Sequence, residues 1–187
     1  MAEKRLILAS GSPRRSELLS KMGYTFETCA QDVDEHISGV PSEIVRTLAV
    51  RKAHAAAEHT SGVVIASDTL VSLDSKPLGK PADAEDAKQM LRALSNREHE
   101  VFTGGGVLDT ETGREEVRVE RTGVHFRPIA ETEIEEYVQT GEPMDKAGAY
   151  AIQGGAGVFV DALDGSFSNV MGFPTKAVRE MLSHFGL

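Results

Sequence analysis

The sequence predicts an α/β (α+β) fold with a mixed, partly antiparallel twisted sheet flanked by helices, and three observations carry that expectation. Short apolar runs typical of buried strands, Leu6-Ile7-Leu8-Ala9 and Val63-Val64-Ile65-Ala66, alternate with segments whose apolar residues recur at helical spacing. Two longer runs, Val101 to Leu108 and Val117 to Phe126, flank the turn-rich Asp109 to Arg114 as the arms of a hairpin. No repeat or linker interrupts the 187 residues, so a single domain over 1–187 is expected.

The elements follow in order. After the first strand, Ser12 is a natural N-cap and Pro13 fits the first helical position, so a helix should run from Pro13 to about Met22, with Leu18, Leu19 and Met22 on one face and Gly23 as its stop. A second helix should begin near Ser42 and continue through the alanine-rich stretch to Ala57. The strand at Val63 continues through Ser67-Asp68-Thr69 into Leu70-Val71-Ser72-Leu73. Ala84, Ala87, Met90, Leu91 and Leu94 keep helical spacing from about Asp83 to Leu94, and Asn96 ends that helix. Thr132 with Glu135 reads as a capping box, and Gly141 closes the helix it starts. A strand at Val158 to Val160 and a terminal helix from Pro174 complete the chain. The glycine groups 104–106 and 154–157 read as strand bulges or turns.

Composition narrows the function. The formal net charge of −9 argues against a nucleic-acid surface, so any phosphate recognition must be local. There is no signal-peptide pattern and no run long enough to span a membrane, which predicts a cytoplasmic protein without a membrane partner. The single Cys29 excludes a disulfide framework and a cysteine-based zinc site, and is expected to pack as a small hydrophobe.

A few residues stand where packing does not explain them. Arg14 and Arg15 fall in a first helical turn, against the positive end of the helix dipole, which makes sense if a phosphate is bound there; a solvated basic cap is the alternative. Asp68 interrupts the most apolar strand, where an unpaired carboxylate would cost several kcal/mol. A divalent metal, a lysine or a catalytic proton could compensate it, unless Asp68 lies just past the strand end and caps a turn. Lys52 continues the line of Ile44 and Leu48 on a helix, so its ammonium either snorkels or reaches a ligand. Lys80 sits on a loop between Gly79 and Pro81. That loop is not a Walker A motif, the glycine groups do not make a dinucleotide fingerprint, and the histidines lack zinc spacing. Ser10 and Ser12 have no identifiable triad partners. What remains is Glu35 and Asp68 to hold a hard cation, and Arg14, Arg15, Lys52 and Lys80 to neutralise a polyphosphate, which is the equipment of phosphoryl-transfer chemistry.

These residues carry a resemblance to the Maf proteins, nucleoside triphosphate pyrophosphatases related in fold to the inosine triphosphate pyrophosphatases. It rests on Leu6 to Arg15, Arg51-Lys52-Ala53, Ser67-Asp68-Thr69, Gly79-Lys80-Pro81, Val101-Phe102-Thr103-Gly104, Gly141 to Tyr150 and Ile152-Gln153-Gly154. Within the family the chain resembles the branch acting on dTTP and UTP, whose specificity positions match Arg15, Thr69 and Gln153. A glutamine amide suits the imide edge of uracil or thymine.

The resemblance implies an inosine triphosphate pyrophosphatase-like fold and attack of water on the α-phosphorus, with Mg²⁺ or Mn²⁺ as cofactor. Asp68 would serve as base and metal ligand and Glu35 as second metal ligand. Ser10, Arg14, Lys52 and Lys80 would hold the phosphates. It also implies a homodimer. A 7-methyl-GTP pyrophosphatase of the same family and a nucleotide-binding regulator of septum formation are the alternative readings, and modified pyrimidines are alternative substrates.

Overall fold

The computed structural model describes residues 4–187. In chain order the elements are β1 (Leu6–Leu8), α1 (Pro13–Lys21), β2 (Glu27–Thr28), α2 (Pro41–Ala57), β3 (Val63–Leu73), β4 (Lys76–Leu78), α3 (Ala84–Leu94), β5 (Glu98–Asp109), β6 (Glu115–Phe126), α4 (Glu131–Gln139), β7 (Val160–Asp164), α5 (Phe167–Val170) and α6 (Thr175–His184). Short 3₁₀ turns lie between α4 and β7. The strands form one seven-stranded mixed sheet, as expected. The chain divides into two compact units, which β3, β5 and β6 traverse: one takes the residues up to Thr69, Thr103–Glu120 and Gly172–Leu187, the other Leu70–Phe102 and Arg121–Met171.

In the first unit, β1 pairs in parallel with β2 and with β3, so that Ile7 stands between Glu27 and Val64. The two faces of this parallel segment are both covered. Leu6, Leu8, Val63 and Ile65 pack with Leu19 of α1 and Val178, Met181 and Leu182 of α6, whereas Ile7, Ala9, Val64 and Ala66 pack with Ala53 and Ala56 of α2. Burial on both faces is why these strands read as unbroken apolar runs rather than as alternation. Cys29 packs on the second of these clusters, as expected. The helix α2 lies directly on β5: a Cβ at Gly104 would sit 2.2 Å from the Val45 carbonyl oxygen, closer than any real contact. Gly104, Gly105 and Gly106 lie within β5, inside the strand expected over Val101 to Leu108, and Gly104 is required by close helix approach.

In the second unit, β4 pairs antiparallel with β3 and β7 antiparallel with β6. One core gathers Leu91 and Leu94 of α3, Ile134 and Tyr137 of α4, and Val101, Val124, Phe126, Tyr150 and Phe159. His99 is buried inside it, edge-on to Phe126 with 4.9 Å between ring centroids, and hydrogen-bonded through Nε2 to the Tyr150 hydroxyl at 2.7 Å.

Three local expectations need correction. Ser12 occupies the N-cap of α1 but makes no side-chain cap. The capping box at Thr132 is not formed, because α4 starts earlier: Ala130 is its N-cap, and the Glu133 carboxylate accepts from the Ala130 N–H at 2.9 Å while pairing with Arg127 at 2.8 Å. The last strand begins at Val160 rather than Val158, since Gly155–Phe159 coils into a 3₁₀ turn. That strand is almost wholly exposed beyond Val160, so it carries no apolar pattern to be read. The short, exposed β2 and β4 were not anticipated for the same reason, and α5 was missed because four residues are too few to show helical spacing. No helix among the described residues is long and apolar enough to cross a membrane.

His99 gives the fold an acid-sensitive point. Burial, helped by the neighbouring His125, pushes its imidazole down to about 4 from the ordinary 6.5. Between those values the unfolded chain binds a proton that the folded chain refuses, so stability falls as pH is lowered through this window, by about 3 kcal/mol in full. Urea unfolding at about pH 7 and about pH 4.5 is expected to show a larger loss for the wild type than for His99→Gln. An equal loss in both would assign the acid sensitivity to other groups.

Candidate active site

The alternation that covers both faces of β1 and β3 also places the polar residues of β3. Val64 and Ala66 face α2, and two residues further along the same face stands Asp68, well inside the strand and not beyond its end. From α2, Lys52 follows the buried Ile44 and Leu48 and brings its Nζ to 2.8 Å from Asp68 Oδ1. The ammonium is also 2.9 Å from Glu35 Oε1. Lys52 and Asp68 are 14% and 13% exposed at their side chains, against 61% for Glu35, so the pair is inside and the third member reaches it from the surface. Glu35 lies on an irregular segment tied to α2: Arg51 Nη1 donates to the Asp34 carbonyl at 3.0 Å, and Asp34 Oδ1 accepts from the His36 N–H at 2.9 Å.

Burial holds the Asp68 carboxyl above the usual carboxylate range, and Lys52 opposes that rise without cancelling it. A carboxylate that costs energy to keep charged, with one oxygen engaged by an ammonium, is suited to accept a proton from water. Asp68 and Glu35 also supply hard oxygen donors that converge on one cation. Two carboxylates fit a small divalent ion that keeps its other positions for water or phosphate oxygens. Among the described residues, no cluster of three or more His, Cys, Asp or Glu forms a fuller protein cage.

The opposite face of β3 carries a second polar group. Arg15 of α1 turns inward: Nε donates to the Gly172 carbonyl at 2.9 Å, Nη2 to Thr69 Oγ1 at 3.2 Å and Nη1 to Ser10 Oγ at 3.5 Å. Thr69 is 2.9 Å from the Thr103 hydroxyl on β5. Burial lowers the Arg15 guanidinium from its ordinary value, with Asp68 acting against that shift. Ser10 Oγ accepts from the Ser12 N–H at 3.1 Å. Arg14 differs from its neighbour, because its buried Nε has no hydrogen-bond partner. With the α1 N-terminus uncapped by a side chain, that donor and the first-turn N–H groups are available to an anion.

Six of the nine residues singled out from the sequence thus fall into two contacting triads within one unit, Glu35, Lys52 and Asp68 in one and Ser10, Arg15 and Thr69 in the other. Arg14 belongs to the same unit. In the other unit, Lys80 is exposed on the loop after β4, where the Gly79 carbonyl accepts from the Gly148 N–H at 3.1 Å. Gln153 is exposed on a turn after the buried Ile152. Thr103 and Gly172 were missed. Thr103 could have been suspected as a fully buried hydroxyl in an apolar strand, but Gly172 acts through its carbonyl, which leaves no mark in a sequence.

Residues 5–185 match the family model described as Maf, Maf-like protein. A protein of Desulforamulus reducens named dTTP/UTP pyrophosphatase is 48% identical over 97% of this chain and 97% of its own length. One of the same name from Geobacter sulfurreducens is 46% identical over 100% of this chain and 99% of its own. Among solved structures, a HAM1 protein from Coxiella burnetii shares the fold at a TM-score of 0.56 and 15% identity, over 97% of this chain and 100% of the other. The Staphylococcus aureus Ham1 protein does so at 0.52 and 16%, over 97% of each.

Lys52→Met is expected to destabilise the protein by about 3 kcal/mol near pH 8, because it leaves Asp68 as a buried unpaired charge. With its folded-state pKa above the unfolded value, Asp68 makes that loss grow as pH rises through its titration and shrink below it. Chemical denaturation of Lys52→Met and of the double variant with Asp68→Asn checks this: the second substitution should restore most of the stability. Equal losses would mean that an unpaired Asp68 charge is not the source of the loss.

Proposed function

The chain belongs to the Maf family, and from that membership and the geometry around Asp68 we propose that it hydrolyses dTTP and UTP to the monophosphate and pyrophosphate. It is a nucleoside triphosphate pyrophosphatase, hence a hydrolase. The observation that carries the chemistry is the buried Asp68, held in mid-strand with its pKa raised and contacted by Lys52. In the proposed reaction a water oxygen attacks the α-phosphorus, the bond to the α,β-bridging oxygen breaks, and pyrophosphate leaves. Asp68 orients the water and takes its proton.

Asp68 and Glu35 would hold a divalent cation, Mg²⁺ or Mn²⁺, whose role when bound is Lewis-acid stabilisation of charge on the phosphate oxygens. Lys52, freed from either carboxylate, can turn its ammonium to a phosphate without leaving the cluster. Arg14 and the first-turn N–H groups of α1 bind phosphate, and Ser10 with Arg15 and Thr69 shapes that end of the site. Lys80 as a phosphate ligand and Gln153 as the reader of the pyrimidine imide complete the proposal on the strength of the family resemblance. Glutamine at 153, near which the 7-methyl-GTP branch carries an acid, favours the pyrimidine substrates over that branch. A homodimeric, cytoplasmic enzyme is part of the same reading.

Pyrophosphate release with Mg²⁺ or Mn²⁺ across dTTP, UTP, CTP, GTP, ATP and 7-methyl-GTP tests it. Preference for dTTP and UTP is expected; selective cleavage of 7-methyl-GTP would overturn the branch, and no cleavage of any would overturn the reading of the site. Asp68→Asn is expected to lower turnover about a thousand-fold while remaining folded.

A further inference from the structure

Gln153 is presented from a turn whose two ends are tied to one pair of side chains. At the start, the Ala151 N–H donates to the Tyr137 hydroxyl at 3.1 Å. At the end, the Gly155 N–H donates to Glu142, 3.1 Å from Oε2 and 3.4 Å from Oε1. The Tyr137 hydroxyl itself donates to Glu142 Oε2 at 2.5 Å, so phenol, carboxylate and turn close a ring of hydrogen bonds. Burial and the adjacent carboxylate push the phenol up, which keeps it protonated and able to donate.

The backbone is moulded to this pair. A Cβ at Gly154 would lie 2.0 Å from Glu142 Oε1, and one at Gly155 would lie 2.9 Å from the Tyr137 ring. Glycine at both positions is thus a requirement of the clamp, and Ile152 and Ala156, both buried, anchor the turn on either side of the exposed Gln153. Position matters for an amide reader. Uracil and thymine offer an N–H and a carbonyl, cytosine an acceptor nitrogen and an amino group, and an amide free to move and turn over can satisfy either pattern.

We propose that Tyr137 and Glu142 are positioning residues for substrate choice: their hydrogen-bond ring holds Ala151–Gly155 in the one conformation that aims the Gln153 amide at a uracil- or thymine-type imide. This rests on the reading of Gln153 as the base-contacting residue. Neither side chain touches substrate in this role. They act through the backbone, in the way that a misplacement of a substrate-contacting group far from the chemistry lowers its effect.

The test compares Tyr137→Phe, Glu142→Ala and Gln153→Ala with the wild type, measuring kcat and KM for dTTP, UTP and CTP together with amide hydrogen exchange of residues 151–155. Tyr137→Phe and Glu142→Ala, which remove the donor and the acceptor of the ring, are expected to raise KM for dTTP and UTP about tenfold with kcat within about twofold, to narrow the preference over CTP as Gln153→Ala does, and to speed exchange at Ala151 and Gly155. The proposal is overturned if both variants keep the wild-type preference and exchange while Gln153→Ala narrows the preference. If Gln153→Ala leaves the preference untouched, the base-reading role fails and the selectivity role of the clamp fails with it, while exchange still reports whether the ring orders the turn. Should Tyr137→Phe not fold, Glu142→Ala carries the same readouts.

Discussion

The contact between Lys52 and Asp68 is the constraint on which the first unit is built. A carboxylate in the middle of a strand covered on both faces cannot be left alone, and the attraction of an ammonium at 2.8 Å has to offset the loss of hydration on both groups. That demand fixes the rotation of α2 about its axis, since the lysine must continue the line of Ile44 and Leu48 to reach β3. It also draws in Glu35, so an otherwise irregular segment acquires a fixed place through Asp34, His36 and Arg51. A pair that is expensive to bury and costly to break is a poor choice for stability alone, and a reasonable one where charge must be kept ready for a substrate.

Arg14 and Arg15 show how far adjacent residues can diverge. Successive positions on a helix point about 100° apart, so two arginines in one turn need not serve one ligand. Arg15 gives its guanidinium to a carbonyl, a threonine and a serine of the same unit, whereas Arg14 keeps a buried Nε without a partner. The sequence marked both as unusual for a first turn. It could not divide the structural cation from the one left open, because that division is made by Gly172, a backbone acceptor far along the chain.

Legibility followed burial and length. The runs at Leu6 and Val63, and the helices with several apolar residues at helical spacing, could be read because burial on a broad face leaves a repeated mark. β2, β4 and the start of β7 could not, being short or exposed, and the four residues of α5 are fixed by polar contacts of Ser166 and the buried Asn169, which leave no apolar pattern. The acid at 68 and the lysine at 52 were visible as misfits, each with a bland alternative; that they answer one another needed a register and a helix rotation. The capping box at Thr132 failed because two acids, Glu133 and Glu135, lie within one turn, and Arg127 together with the Ala130 N–H selects the first.

Gly104 has a consequence beyond its strand. By leaving out one carbon it lets α2 settle onto β5, and so sets the height from which Lys52 must span to β3. The reach of a lysine is fixed, and the spacing of the charges is therefore gauged by an atom that is missing about two helical turns away. Such a position behaves like a shim in an instrument: it takes no part in what is measured, but nothing thicker can be put there without throwing the setting off.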